Sequence, residues 1–319
     1  MVSSTTDAPA GGVSCRGTGA LSPERESTSA ARRDGEPAAS TALRNETSNA
    51  FLGGPPLSVQ MRTYTLGDGP PEVAVVGGIH GDEPCGVRAV ERLVADPPPV
   101  ERPVKLVVAN ERAIETGVRY VDTDLNRAFD DAPDGHEARL ARGLAAEIRG
   151  LTTLSLHSTQ SYADPIAILN GATGTARDVV SRLPVSAVVD VSGPEGRPFA
   201  IEATPLVEAE CGLQGSDEAA DSAERLSRAF LAATGALSPP PESRSLPAFR
   251  LGDPVSKPPA ERYEVHAENF RRVEPGETFA SADGRSLVAD EPFYPVLFSA
   301  EGYEEIFGYV AERAGEVGP

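Results

Sequence analysis

The feature that most constrains this chain is a regular alternation of short, β-branched apolar runs with amphipathic stretches, which begins at about Val59. The apolar runs have the length of buried strands, and the stretches between them place apolar residues at helical spacing. Strands are predicted at 71–79, 104–110, 152–158, 164–171, 186–192 and 205–212, and helices at 86–96, 136–151, 175–183 and 217–235. This alternation predicts an α/β fold with a mostly parallel mixed sheet flanked by helices.

The composition divides the chain into three parts. Residues 1–55 are rich in small polar residues and mixed charge without apolar periodicity, which predicts a disordered N-terminal extension. The α/β pattern occupies residues 56–240, and the proline-rich stretch 237–247 is a linker signal. Residues 241–319 contain short apolar runs separated by turn sequences, so they predict a small β-rich C-terminal domain.

The charge of the 319-residue chain argues against one class of partner. Acidic residues number 48 against 29 basic ones, the net charge is −19, and Lys105 and Lys257 are the only lysines. This acid excess with almost no lysine predicts a halophilic surface, and the alternative is the codon bias of a GC-rich genome. Nucleic acid is not an expected partner, because binding phosphates requires a basic face.

The cysteines and the apolar runs indicate the compartment. Cys15, Cys85 and Cys211 form no CxxC pair, which argues against a disulfide framework and for a reducing environment. No apolar run approaches the roughly 20 residues that span a bilayer, and the N-terminus lacks the pattern of a secretory signal. We therefore expect a cytoplasmic protein without a membrane partner, and a homo-oligomer stays open.

The strongest candidate site begins where the first predicted strand ends, in the sequence GGIHGDE (77–83). His80 and Glu83 stand three residues apart on this glycine-flanked turn, and His157 lies near the end of a later strand. In parallel α/β sheets, ligands bind beyond the carboxyl ends of strands. Two imidazoles and one carboxylate form the donor set of hydrolytic zinc sites, so these residues predict a zinc site. The alternative is a solvated turn and a hydrogen-bonded histidine.

A second candidate is the segment RYVDTDLNRAF (119–129). It places Arg119 and Arg127 on either side of an acidic stretch, with Asn126 beside the second arginine. A guanidinium group matches a carboxylate in bidentate geometry, so this segment is suited to bind an anion. The alternative is a charged surface loop.

A third candidate is the strand that contains Glu208 and Glu210. A carboxylate beside a zinc ion can act as general base for a water molecule. Strand alternation places both side chains on the same face and does not choose between them. His136, at the start of a predicted helix, has no ligand-like context and is expected at the surface.

These segments together resemble the aspartoacylase and succinylglutamate desuccinylase family, whose members are related to the zinc carboxypeptidases. The segments that carry the resemblance are GGIHGDE (77–83), RYVDTDLNRAFD (119–130), SLHSTQ (155–160) and ECG (210–212), with VEPGETFASADG (273–284) and YPVLFSAEGYEE (294–305) similar in style. Their order and spacing extend the resemblance from about residue 70 to residue 311. The N-terminal extension is not covered.

The resemblance implies zinc-dependent hydrolysis of a small anionic N-acyl amino acid, with acetyl or succinyl as the acyl group. It assigns one zinc ion to His80, Glu83 and His157, the general base to Glu210, substrate contacts to Arg119, Asn126, Arg127 and Tyr303, and an orienting role to Asp124. Ser155 stands where the family often has Asp, and Ser158 stands where Asn is common in aspartoacylases. The acyl group therefore stays open.

Three alternatives to this activity remain at the level of sequence. The chain could deacetylate an acetylated diamino acid, or cleave peptides as a metallocarboxypeptidase. It could also be a ligand-binding module with a degraded zinc site, although the complete set of His80, Glu83, His157 and Glu210 favours an enzyme. The sequence contains neither a GxSxG elbow nor a GxxxxGK[ST] loop, so serine-hydrolase and P-loop chemistry have no support.

Overall fold

The computed structural model describes residues 61–129, 134–171, 174–192 and 204–319, together with the backbone of the strand at 43–47. These residues belong to one compact unit, Ala39–Pro319. Most of the predicted N-terminal extension, residues 1–55, lies outside the described residues. Within that range, residues 43–47 form a strand that pairs with the next strand of the chain.

The predicted strands and helices between residues 71 and 235 are all present, with ends that differ by up to three residues. The strands are β1 (Leu43–Thr47), β2 (Arg62–Leu66), β3 (Val73–Gly77), β4 (Val104–Val108), β5 (Thr152–Thr159), β6 (Ile166–Leu169), β7 (Val188–Asp190), β8 (Leu206–Leu213), β9 (Leu246–Ser256), β10 (Tyr263–Val265), β11 (Thr278–Ala282), β12 (Arg285–Val288), β13 (Tyr294–Val296) and β14 (Ile306–Val317). The α-helices are α1 (Pro84–Ala95), α2 (Glu111–Thr116), α3 (His136–Ile148), α4 (Gly174–Val180) and α5 (Asp217–Ala233), and a 3₁₀ turn covers Leu125–Arg127.

Most of the described strands form one mixed sheet in the order β1-β2-β4-β3-β5-β8-β6-β7-β9-β14-β13. The four central strands β4, β3, β5 and β8 are parallel to one another. The direction reverses at β6, which pairs with β8 in the antiparallel sense. Strands β10, β11 and β12 form a separate small sheet near the C-terminus. The predicted fold class, an α/β sheet flanked by helices with a β-rich C-terminal part, is confirmed.

Helices cover both faces of the central sheet. Val75 packs in the apolar cluster that includes α1 and α5, whereas its neighbour Val76 packs in the cluster that includes α3. Both side chains are completely buried, as expected for a parallel strand with helices on either side. In the described part of the chain, no helix combines the length and the apolar character that crossing a bilayer requires.

The C-terminal strands extend the large sheet. Strand β9 runs parallel to β7 and antiparallel to β14, which in turn pairs with β13. The predicted linker 237–247 therefore ends inside β9, which begins at Leu246. The connection between β13 and β14 carries Tyr303, so this part of the sheet delivers one of the predicted substrate contacts.

Candidate active site

The site lies where the strand order changes. Strand β4 lies on one side of β3 and β5 lies on the other, and such a point is where ligands bind in open α/β sheets. His80 follows β3 by three residues, and His157 is near the end of β5. The topology therefore brings two residues that are distant in sequence to the same edge of the sheet.

Glycine is required in the turn that carries His80. Gly78 has a φ angle of +70°, a conformation that glycine adopts without steric cost. A Cβ atom at Gly81 would lie 2.1 Å from the backbone carbonyl carbon of Ala113, so the turn packs directly against α2. The backbone N–H of Asn110 donates to the carbonyl oxygen of Gly78 at 2.9 Å. The turn is thus held by backbone contacts and leaves its side chains for the site.

His80, Glu83 and His157 form a buried cluster whose nitrogen and oxygen donor atoms all lie within 4.8 Å of one another. His80 Nδ1 is 2.8 Å from Glu83 Oε1, and His157 Nδ1 is 3.2 Å from Glu83 Oε2. The three residues are 1 to 3% exposed. Two imidazole nitrogens and a carboxylate that converge in this way match the donor set of a catalytic zinc site.

Neighbouring groups orient both imidazoles toward this point. His80 Nε2 donates to Asp124 Oδ1 at 3.0 Å, and His157 Nε2 lies 3.1 Å from Ser155 Oγ. A metal-binding histidine usually has its second ring nitrogen held by an oxygen in this manner. Asp124 therefore contacts a predicted ligand, and Ser155 makes the corresponding contact to His157.

The cluster is electrostatically coupled. Burial alone would raise the pKa of Glu83, but the hydrogen bonds and positive charges of His157 and His80 hold that pKa far below its usual range. Burial would lower the pKa of His157, whereas its hydrogen bond to Glu83 and the nearby carboxylates raise it to about 10. Glu83 is therefore ionised and carries the negative charge that a cation needs.

Glu208 and Glu210 lie at different positions along β8, beside the cluster. In the parallel pairing of β5 and β8, Glu210 is the partner of His157 and Glu208 is the partner of Ser155. Burial raises the pKa of each carboxyl group to about 7. Oxygen Oε2 of Glu210 is buried and has no hydrogen-bond partner among the described residues. Glu210 is therefore the carboxyl group that is level with the predicted zinc ligand.

The arginine-containing loop, residues 119–127, lies against the cluster. Arg119 Nη1 donates to Glu83 Oε1 at 2.8 Å, and its Nη2 is 3.6 Å from Asp124 Oδ2. Asn126 Oδ1 is buried and has no hydrogen-bond partner among the described residues, while Arg127 is exposed. The loop thus brings Arg119 to the cluster, and the charge of Arg127 acts on Glu208.

Tyr303 approaches the site from the C-terminal part of the chain. Burial, and then the negative charge of Glu210, raise the pKa of its hydroxyl group above the usual range. Lys257 Nζ donates to the carbonyl oxygens of Ala300, at 2.7 Å, and of Tyr303. One of the two lysines of the chain therefore supports the segment that carries this tyrosine.

Sequence reasoning missed a buried network behind the site. His136, expected at the surface, is only 7% exposed, and its Nε2 lies 3.0 Å from Asn110 Oδ1. The expectation was wrong because the start of α3 packs beneath the arginine-containing loop, where Glu137 and Asn110 are also fully buried. An acidic residue in the first turn of a helix is an ordinary capping signal, so nothing in the pattern marked Glu137 as a contact of this loop.

The comparisons with known proteins concern the family and the fold. Residues 70–180 match the family model described as the succinylglutamate desuccinylase/aspartoacylase catalytic domain. None of the curated proteins matches the chain.

Several solved structures share the fold. The ectoine utilization protein EutE (DoeB) from Ruegeria pomeroyi is 19% identical with a TM-score of 0.67, and the match covers 88% of this chain and 96% of that chain. A succinylglutamate desuccinylase/aspartoacylase from Rhodobacter sphaeroides is 18% identical with a TM-score of 0.66, covering 81% and 90%. Murine aminoacylase 3 is 21% identical with a TM-score of 0.60, covering 78% and 98%. Residues 70–180 therefore match the catalytic-domain model of the succinylglutamate desuccinylase/aspartoacylase family, and the solved structures show that the chain has the same fold.

Proposed function

We propose that this protein is a zinc-dependent amidohydrolase that removes an acetyl or succinyl group from an anionic N-acyl amino acid. The single observation that carries the proposal is the buried convergence of His80, Glu83 and His157, with Glu210 paired to His157 on the neighbouring strand. This arrangement combines the ligand set of a hydrolytic zinc site with a carboxyl group that can exchange a proton. The family model that matches residues 70–180 supports hydrolysis of an amide bond.

Glu210 is the general base in this proposal. His80, Glu83 and His157 would hold a zinc ion, which would supply Lewis-acid activation of a water molecule and of the acyl carbonyl group. Glu210 accepts the proton of the attacking water and then delivers it to the departing amine. Two features suit Glu210 to both steps: its unpartnered Oε2 atom and a pKa that burial raises to about 7.

The arginine-containing loop is the substrate-binding element. Asn126 and Arg127 would bind the carboxylate of the amino acid, because an amide and a guanidinium group together hold a carboxylate in one orientation. Arg119, which already donates to Glu83, would stabilise the negative charge that develops on the acyl oxygen. Tyr303, whose hydroxyl group is affected by the charges of Glu210 and Arg119, would also contact the substrate.

A second candidate is the removal of an acyl group from a diamino acid. Glu208 favours it, because this side chain is 5% exposed and its Oε1 has no hydrogen-bond partner among the described residues. The charge of Arg127 acts on Glu208, so this carboxyl group lies near the proposed amino acid contact. A second ammonium group on the substrate would supply the missing donor and the opposite charge.

Metal content and amine release, measured on the same preparation, test both candidates. The substrates are N-acetyl and N-succinyl derivatives of acidic amino acids and N-acetylated diamino acids, each at low and high salt. About one zinc per chain with release from an acidic substrate would support the first candidate, and preference for the diamino acid would support the second. A protein that binds no zinc after reconstitution would contradict both.

A further inference from the structure

We propose that Glu137 is a positioning residue that holds the substrate-binding loop, residues 119–127, in register with the metal-binding turn. The inference rests on the proposed role of that loop. Glu137 lies in the first turn of α3 and is fully buried, and its hydrogen bonds go to Asn110 and to the backbone of residues 121–123. Its role would therefore be exerted through the backbone of the loop.

The carboxylate of Glu137 accepts four hydrogen bonds. Oxygen Oε1 accepts from the backbone N–H of Val121 at 2.7 Å and from Asn110 Nδ2 at 3.1 Å. Oxygen Oε2 accepts from the backbone N–H groups of Asp122 and Thr123, at 2.9 and 3.2 Å. Three consecutive backbone donors of the loop thus converge on one side chain.

Residues 121–123 of the loop lie outside any helix or strand, and the 3₁₀ turn begins only at Leu125. Backbone N–H groups that have no helix or strand partner need another acceptor, and Glu137 supplies it for the three of residues 121–123. Arg119 lies just before the bonded stretch, and Asn126 lies just after it. The carboxylate therefore determines where the backbone carries these two side chains.

Asn110 connects the same carboxylate to the metal-binding turn. Its side chain donates to Glu137, while its backbone N–H donates to the carbonyl oxygen of Gly78, two residues before His80. Its Oδ1 also accepts from the backbone N–H of Ala113 at the start of α2. The contacts from Glu137 through Asn110 to Gly78 join the substrate-binding loop to the turn that carries the proposed zinc ligand His80.

Only an ionised carboxylate satisfies all four donors. A glutamine of the same shape has one acceptor oxygen and one donor NH₂ group. In Glu137→Gln, the NH₂ group would therefore face N–H donors. The hydrogen bonds that one of the two carboxylate oxygens accepts would be lost. The loop would relax while the zinc ligands, which lie on other elements, keep their positions.

The test compares the zinc-loaded wild-type protein, Glu137→Gln and the matched control Glu147→Gln, which changes another glutamate of α3. We expect Glu137→Gln to raise KM about tenfold or more while kcat falls much less, because misplaced binding groups weaken substrate alignment. Zinc content should equal that of the wild type. Amide hydrogen exchange should accelerate in peptides that contain residues 121–123 and stay unchanged in β3 and β5. Glu147→Gln, which changes a carboxylate bonded to Lys105, should match the wild type in KM, in zinc content and in the exchange of residues 121–123.

Hydrogen exchange separates this inference from the proposed function, since it requires no substrate. If the wild type releases no amine from any N-acyl amino acid, a local acceleration confined to the loop still supports the positioning role. Unchanged exchange and unchanged KM in Glu137→Gln would overturn it, as would an acceleration spread evenly over the protein. If the glutamine variant does not fold, Glu137→Asp, which keeps the charge on a shorter side chain, takes its place under the same criteria.

Discussion

Glu210 and His157 are direct partners in the parallel pairing of strands β8 and β5. Their side chains leave the same face of the sheet, so a carboxyl group stands next to an imidazole that converges with His80 on Glu83. Glu208 lies two register pairs earlier along the same strand, opposite Ser155. Strand register therefore distinguishes two glutamates that strand alternation alone treats as equivalent.

Glu210→Gln should lower kcat by about 10²- to 10⁴-fold, the usual contribution of a general base. Zinc content should stay near one per chain, because Glu210 is not among the three clustered donors. Amine release and metal analysis on the same sample provide the measurement. Glu208→Gln is the matched control and should retain most activity on an acidic substrate. Equal losses in both variants would show that register does not select the base.

Removal of zinc with a chelator should abolish amine release and lower the melting temperature. A ligand that binds only the folded state stabilises it by about 2.7 kcal/mol at a hundredfold excess over Kd. Thermal unfolding with and without added zinc measures the effect. In His157→Ala the difference between the two curves should disappear. If the melting temperature of the wild-type protein does not change when zinc is added, the proposed ligand set is contradicted.

Asp124→Asn should weaken zinc binding by about 10- to 100-fold, the usual effect of removing a group that orients a metal-binding histidine. The physical reason is the 3.0 Å hydrogen bond in which His80 Nε2 donates to Asp124. Competition with a chromogenic chelator gives the affinity. Asp134→Asn, on an exposed side chain nearby in sequence, serves as the control. Identical zinc affinities in all three proteins would refute an orienting role.

Lys257→Met should lower kcat/KM and destabilise the protein by about 1.5 to 3 kcal/mol, the range for hydrogen bonds to charged groups. The variant loses the bonds from Nζ to the carbonyl oxygens of Ala300 and Tyr303. The other lysine provides the control: Lys105 bonds Glu147, so Lys105→Met should affect urea unfolding but leave kcat/KM intact. A drop in kcat/KM in both variants would indicate a general effect of lost stability.

Glu137 should make the stability of the protein depend on pH in the acid range. Burial acts to raise its pKa, but the hydrogen bonds from Val121, Asp122 and Asn110 lower it below its ordinary value. Because the folded-state pKa is below the unfolded value of about 4.3, the stabilisation is present above that pH and is lost as pH falls through the folded-state pKa.

The comparison of wild type with Glu137→Gln isolates this contribution. The two proteins should differ by about 1 to 3 kcal/mol in free energy of unfolding at neutral pH, the cost of leaving buried donors unpaired. The difference should shrink as the pH drops below about 4. Urea unfolding at several pH values measures it, and a difference that stays constant with pH would argue against the buried charge.

Local sequence patterns predicted the helices and strands correctly, but they did not predict the burial of His136. The strand that ends at Gly77 and the helix that begins at Pro84 follow from apolar periodicity and the intervening glycines, which act between near neighbours in sequence. His136 was misjudged because its burial depends on which distant segment packs on it. Asn110, 26 residues earlier, supplies that contact, and no periodicity reports it.

The sequence by itself determined the chemistry that is available: an HxxE turn after a strand, a histidine at the end of another strand, and a resemblance to the succinylglutamate desuccinylase/aspartoacylase family. The tertiary structure decided which of these groups meet. His157 reaches Glu83 across 74 positions of sequence, Glu210 is level with His157, and Glu137 holds a loop that precedes it in the chain. Periodicity is set by neighbouring residues, whereas convergence depends on the order and register of strands that pair across the fold.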